Sequence, residues 1–249
     1  MSGTLLRAVV PEWAKAAFRG LRLTWRAGRL AREAAAVEGA GQWFDLLDRC
    51  DDFRPLQVRE EIVGLVARVA ALRPSRICEI GPYLGGTSFL FARAAAPDAT
   101  IVLLDFRMGP ARRRALRRLG SPGQRIICLE GDSHDPAVRA RVAACFGGKP
   151  VDFLFIDGDH SDAGVAADWR DYGSLVTHGL VAFHDIVPDH HVRFGRATTA
   201  DTGGVPGFWG ALKARYGASA AELVADPDQD GCGIGMISVG PDGGAPPGA

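Results

Sequence analysis

The chain has 249 residues, 47% of them hydrophobic and 23% charged, with 32 glycines, 15 prolines and five cysteines. That profile excludes a collagen, a disordered tail and a disulfide-stapled miniprotein, and the length supports one sizeable core. Basic and acidic residues balance at 29 each, so no overall field recruits nucleic acid, and no nucleic-acid partner is expected. Cys50, Cys78, Cys128, Cys145 and Cys232 are odd in number and form no C-x-x-C pair. With no signal-type apolar run ahead of them, they read as reduced thiols in a cytoplasmic protein. No stretch approaches the roughly 18 to 20 apolar residues that span a bilayer, so no transmembrane segment is expected.

Residues 1–54 form a distinct helical arm. Between Arg7 and Arg32 seven basic residues stand against one acid, Glu12, interleaved with Trp13, Phe18, Leu21, Leu23, Trp25 and Leu30. Such a basic amphipathic helix is expected to cap the fold, or to pack on a second subunit of a homo-oligomer with its arginines in water. Peripheral contact with an anionic membrane is the alternative. Gln42–Cys50 reads as a second short helix of the same arm.

The main domain is expected over 55–240. A helical pattern from Pro55 to Leu72 is closed by Pro74, and from there the chain alternates. Strand-like runs fall at 76–80, 100–106, 125–129, 151–156 and 180–183, with helices at 87–96, 111–119, 137–146 and 163–175. This alternation predicts βαβ units, hence an α/β fold with a doubly wound, mostly parallel sheet. After a helix at 207–216, strand-like runs at 222–225 and 234–239 are joined by too short a turn for a crossover, so they must form an antiparallel C-terminal hairpin. The glycine- and proline-rich residues 241–249 are expected to be a flexible tail.

The first strand runs into Glu79-Ile80-Gly81-Pro82-Tyr83-Leu84-Gly85-Gly86-Thr87, a glycine-rich turn that lets backbone approach a ligand and aims N–H groups at it. Its spacing is G-x-x-x-G-G, not the dinucleotide G-x-G-x-x-G. The second strand ends in Asp105, where an acid can accept hydrogen bonds from a ribose diol. The third is followed by Gly131-Asp132-Ser133, placed to meet a purine edge. Three such loops at one end of a sheet point to a nucleoside pocket. Together with the terminal hairpin, these motifs resemble the class I S-adenosylmethionine-dependent methyltransferases over about residues 56–240. The resemblance implies a Rossmann-like seven-stranded sheet of order 3-2-1-4-5-7-6. It also implies that Glu79 and Gly81 line the methionine part of S-adenosylmethionine, that Tyr83, Gly85, Gly86 and Thr87 bind the cofactor with them, that Asp105 holds the ribose, and that Asp132 and Ser133 flank adenine.

The fourth strand delivers Asp157-Gly158-Asp159-His160 and the fifth delivers His184-Asp185. In a doubly wound sheet these ends converge beside the cofactor. Carboxylates and imidazole at one point are donors for a divalent cation, and a histidine can take a proton near neutrality. The pairing resembles the metal-dependent small-molecule O-methyltransferases of the macrolide-sugar, catechol and cephalosporin-hydroxylase-like types. By that resemblance Asp157 borders the cofactor as well as the reaction, Asp157, His184 and Asp185 are ligands for a divalent cation such as magnesium or manganese, and His160 is the general base. His184 departs from the family, which usually has an acid there, and this leaves iron and zinc open. Asp159 is a fourth ligand or the cap of the next helix. The 20 or so aperiodic residues after Asp185 carry His190, His191 and Arg193, candidates for gripping an acceptor. Arg112 to Arg118 reads as a solvated helix and Trp209 as core.

The expected activity is transfer of a methyl group to a hydroxyl of a small-molecule acceptor, a sugar or natural product. Two rivals remain: an NAD-dependent oxidoreductase, because Asp105 suits an NAD ribose equally well, and a non-catalytic S-adenosylmethionine-binding accessory subunit of a biosynthetic complex.

Overall fold

A computed structural model describes residues 11–240. The expectations for Arg7 and for the tail at 241–249 lie outside the described residues. The arm comprises α1 (Glu12–Ala34) and α2 (Ala40–Asp48), followed by a single 3-10 turn at Asp51–Phe53. The chain then runs α3 (Arg59–Leu72), β1 (Arg76–Ile80), α4 (Gly86–Ala94), β2 (Thr100–Asp105), α5 (Pro110–Leu116), β3 (Arg125–Glu130), α6 (Pro136–Cys145), β4 (Phe153–Ile156) and α7 (Asp162–Gly173). It closes with β5 (Gly179–His184), α8 (His190–Phe194), α9 (Val205–Tyr216), β6 (Ala220–Leu223) and β7 (Ile234–Val239).

The sheet has seven strands in the order β3-β2-β1-β4-β5-β7-β6. The pairs from β3 to β5 are parallel, and β7 runs antiparallel to both β5 and β6. Alternation of side chains along each strand sends neighbours to opposite faces, which explains the near-continuous apolar strands of a sheet covered on both sides. Ile77, Leu103, Phe153 and Phe155 join the core under the arm, α3, α4 and α5. Cys78, Val102, Leu154 and Phe183 join the core under α6, α7 and α9. Phe91 of α4 meets Phe153 and Phe155 edge-on at 4.9 and 5.2 Å, a favoured aromatic geometry.

Trp209 is core, as the sequence predicts. Its ring lies across β7 at Gly235, where a Cβ would stand 2.6 Å from ring atoms, and its Nε1 donates to Glu222 at 2.7 Å. The hairpin strand β6 begins two residues earlier than the apolar pattern suggests. It is an edge strand with Ala221 and Glu222 exposed, so burial does not mark its bounds. The loop between β6 and β7 is held from outside the sheet. Glu61 of α3, 1% exposed, accepts hydrogen bonds from the Ala225 N–H, the Gln229 amide and the Gly233 N–H at 3.1, 2.8 and 2.9 Å. Those bonds satisfy backbone donors that the turn leaves unpaired and fix the path of Asp230 and Cys232 toward the carboxyl ends of β4 and β5.

Candidate active site

The carboxyl ends of β1, β2 and β3 open onto a groove of about 480 Å3 walled by Gly81, Tyr83, Asp105, Asp132, Ser133 and Asp157. A second cavity of about 480 Å3 adjoins it, and Gly81, Tyr83 and Asp157 stand in the wall of both. Each is of a size that suits a small organic ligand. Every cofactor residue expected from the sequence lines one of the two except Glu79, which is fully buried.

The local conformations show why this turn needs its residues. Gly81 has φ of +81°, and a Cβ there would lie 1.9 Å from the Asp157 carbonyl oxygen, so the tips of β1 and β4 touch through backbone alone. Tyr83 takes a left-handed conformation, φ 45°, uncommon for a residue with a side chain. Its N–H points at Asp105 Oδ2, 3.3 Å away. Asp105 also accepts the Arg107 N–H at 2.8 Å, and a carboxylate has lone pairs left for a diol. Gly85, at the N-cap of α4, frees the first turn of that helix to aim unused N–H groups into the second cavity.

Glu79 acts one layer back. Its two oxygens accept the hydroxyls of Thr87 and of Ser88, the latter at 2.5 Å. Burial pushes its pKa up to about 7 against the opposing pull of those hydroxyls. Through Thr87 it fixes the start of α4. At the carboxyl end of β3, the Ser133 carbonyl accepts the Tyr172 hydroxyl at 2.8 Å, and Asp132 accepts the His134 N–H at 2.9 Å.

At the floor of the second cavity, β4 and β5 bring four ionisable side chains together. His184 Nδ1 lies 3.3 Å from Asp157 Oδ1 and 3.1 Å from Asp185 Oδ2. His160 Nε2 lies 3.5 and 3.6 Å from the same two oxygens. The His160 Nδ1 contacts the Asp201 carbonyl, which can only accept, so Nδ1 carries a proton and Nε2 faces the carboxylates. The hydrogen bond to Asp157 leads the effects that raise the His160 pKa to about 9, with burial opposing and the Asp201 carbonyl and Asp185 assisting. Burial acts most strongly on His184 and lowers its pKa, but Asp157 and Asp185 outweigh it and hold the imidazole well above its ordinary range. For Asp157 burial pushes upward, and the two imidazoles reverse it to a net lowering. Asp185 sits at φ 61°, a strained conformation for a non-glycine residue, and accepts the Cys232 N–H at 3.1 Å.

Three residues here escape a reading of the sequence. Gln57, ahead of α3, donates Nε2 to Asp157 Oδ2 at 2.8 Å. The carboxylate accepts only, so the amide orientation is forced, and Gln57 Oε1 is left buried without a partner in the cavity wall. Cys232 completes a cluster with His184 and Asp185 whose donor atoms lie within 4.8 Å of one another, as do those of Asp157, His160 and Asp185. Asp201 orients His160 across 41 residues. Conversely, Asp159 neither reaches the cluster nor caps α7. It accepts the Ser161 N–H at 2.9 Å, and Ser161 is the cap, accepting the Gly164 N–H at 3.0 Å. The loop after Asp185 contains α8, capped by Asp189. Its Arg193 reaches the Pro227 carbonyl and His190 the Asp228 carbonyl, so both tie the loop to the β6–β7 turn and neither lines the cavity.

Residues 78–186 match the family model described as a methyltransferase domain. Among solved structures, the chain is similar to the O-methyltransferase TomG from Streptomyces achromogenes in complex with SAM, at 20% identity over 82% of this chain and 91% of that one, TM-score 0.55. It is also similar to an O-methyltransferase from Bacillus cereus in complex with SAH, at 17% identity over 81% and 91%, TM-score 0.52. Cofactor-bound Rv0187 from MTB gives 18% identity over 85% and 90%, TM-score 0.51. No curated protein matches the chain. The structural likenesses bear on the fold and the family match on the chemistry. The match supports S-adenosylmethionine-dependent methyl transfer as the chemistry of residues 78–186, carried on a Rossmann-like methyltransferase fold. The dehydrogenase and accessory-subunit readings find no support.

Proposed function

We propose that the chain transfers a methyl group to a hydroxyl of a small-molecule acceptor, a sugar or natural product, with a divalent cation at Asp157, His184 and Asp185 and with His160 as the base. The observation that carries this reading is the meeting of two imidazoles and two carboxylates within 3.1–3.6 Å in the wall of the second cavity, with Asp157 shared with the first. When bound, S-adenosylmethionine supplies a methyl group already activated on a sulfonium. The protein's task is therefore to align an oxygen and remove its proton. The N–H groups that open α4 suit the methionine carboxylate, Asp105 the ribose diol, and Asp132 and Ser133 the adenine edge.

The donor set fits a cation: carboxylate oxygens suit hard ions, while His184, and Cys232 beside it, admit manganese, iron or zinc as well as magnesium. When bound, such an ion stabilises a developing oxyanion. His160 takes the hydroxyl proton at Nε2, because Nδ1 is engaged by Asp201. In the protein alone Asp157 and Asp185 favour the charged form of His160, and a cation held by those carboxylates would offset that pull and favour the neutral imidazole that a base requires. Gln57 holds Asp157 in register and presents Oε1 to a donor on the ligand.

The test is titration of the purified chain with S-adenosylmethionine, followed by methyl transfer to a panel of hydroxylated sugars and phenols with and without chelator. Donor binding with chelator-sensitive transfer supports the whole reading. Full transfer in chelator removes the cation alone, and absence of donor binding removes the reaction.

A further inference from the structure

The reaction leaves α1 unexplained. Its inner face, Gly20, Ala27, Leu30 and Ala34, is buried and packs the helix against α5, with Gly20 allowing so close an approach that a Cβ there would stand 3.2 Å from Ala111 Cβ. A second apolar stripe points the other way. Phe18, Leu21 and Trp25 recur at the three- and four-residue spacing of one helix face, and with Trp13 they are 58–77% exposed. A helix of a globular protein ordinarily needs one apolar stripe, and exposed contiguous apolar surface marks an interaction site.

Charge selects what covers it. Between Glu12 and Ala34 there are six basic residues and two acids, and both acids are paired inside the helix, Glu12 with Lys15 at 2.8 Å and Glu33 with Arg29 at 2.6 Å. Arg26 is bonded to Asp52. Arg19, Arg22 and Arg32 are exposed and have no acidic partner among the described residues. Arg22 and Arg29 follow Phe18 and Trp25 by four residues, so cations border the stripe, and Arg29 lies over the Trp25 ring at 5.8 Å. A second copy seated on this face in twofold symmetry would oppose like charges, which disfavours that pairing. An anionic lipid surface meets both features, taking aromatic rings at the headgroup level and arginines at the phosphates.

We propose that the outward face of α1 is a docking surface for anionic phospholipid, with Phe18, Leu21 and Trp25 entering the interface and Arg19, Arg22 and Arg32 meeting its charge. The helix does not cross the bilayer: no helix among the described residues is long and apolar enough to do so. Its Arg26 is tied to Asp52, a few residues before Arg54–Gln57 in the cavity wall. The inference stands independently of the reaction, since it concerns residues outside both cavities.

The test uses the full chain with vesicles of pure phosphatidylcholine and of the same lipid with one-third phosphatidylglycerol, at about 0.1 M salt, where surface charge is partly screened. Co-sedimentation should be at least about tenfold stronger with the anionic vesicles and should blue-shift tryptophan emission. Phe18→Ser with Trp25→Ser should abolish both effects, and Arg19→Glu with Arg22→Glu should cut binding at least about tenfold, with unchanged circular dichroism and Tm because these side chains are exposed. No preference for anionic vesicles overturns the proposal. So does a dimer in light scattering that the Phe18 and Trp25 substitutions dissolve, which would assign the face to a second copy.

Discussion

The groove between Gly81 and Ser133, which we propose for the donor, is assembled from three strand-to-helix turns, each a short local structure at the end of a parallel strand. The reaction side is assembled otherwise: Gln57, Asp157, His160, His184, Asp185, Asp201 and Cys232 arrive from separate segments and are locked by contacts such as Gln57 to Asp157, a hundred residues apart. A site whose parts are local depends on backbone conformation, and one whose parts converge depends on side-chain pairing. Substitutions in the two regions should therefore fail differently, the first in donor affinity and the second in turnover.

The largest expected effect is on the reaction side. His160→Ala should slow methyl transfer by about 10²- to 10⁴-fold, the range for loss of a positioned base, while calorimetric donor affinity stays within about threefold. A collapse of donor binding in this variant would erase the division between regions, and an unchanged rate would remove the base. Gly81→Ala tests the opposite half. Its Cβ would lie 1.9 Å from the Asp157 carbonyl oxygen, so the tips of β1 and β4 must part, and misplacement on the order of 1 Å costs roughly 100-fold. The loss should appear as weaker S-adenosylmethionine binding in a chain that still folds, and normal affinity would show that the contact is not what shapes the groove.

Glu79 sharpens the comparison through pH. Its folded-state pKa is raised to about 7, so the folded chain keeps this proton at pH values where the unfolded chain has released it. The associated stability is fully present below about 4.5 and is lost as pH rises through about 7. The loss is on the order of 3 kcal/mol. Glu79→Gln, which does not titrate, should show a flatter fall in denaturant-measured stability across that window than wild type. Parallel pH profiles for the two would mean that Glu79 is ionised throughout.

Much of this was legible in the sequence. The alternating parallel strands and the antiparallel end follow from hydrophobic period and turn length, whereas the strand order and the residues expected to hold the donor came with the family resemblance, carried by the glycine-rich turn, Asp105 and Gly131-Asp132-Ser133. The convergence of Asp157, His160, His184 and Asp185 follows from their places at the ends of neighbouring strands. Gln57, Cys232 and Glu61 were not legible, because a single polar residue that pairs with a distant segment leaves no period behind it. Asp159 was misread because the cap lay two residues on, at Ser161. The short helix α8 was hidden in an aperiodic loop, although Asp189 with the Val192 N–H follows the ordinary capping spacing.

Gln57 carries the smallest effect and the finest distinction. It is 8% exposed, so its two polar atoms are committed: Nε2 to Asp157, and Oε1 to nothing within the protein. Gln57→Met keeps the shape and removes both functions. The loss of one hydrogen bond to a charged acceptor corresponds to about a tenfold effect, expected in kcat while donor affinity is unchanged, because Asp157 would be less well fixed for the reaction. Gln57→Glu should be worse than Gln57→Met, since it sets a carboxylate against Asp157 in a buried place. If instead the methionine variant weakens only donor binding, Oε1 reads the cofactor, and Gln57 belongs with the groove. If both variants turn over like wild type, Asp157 is held well enough by its two imidazoles, and the convergent side is less dependent on distant pairing than the comparison requires.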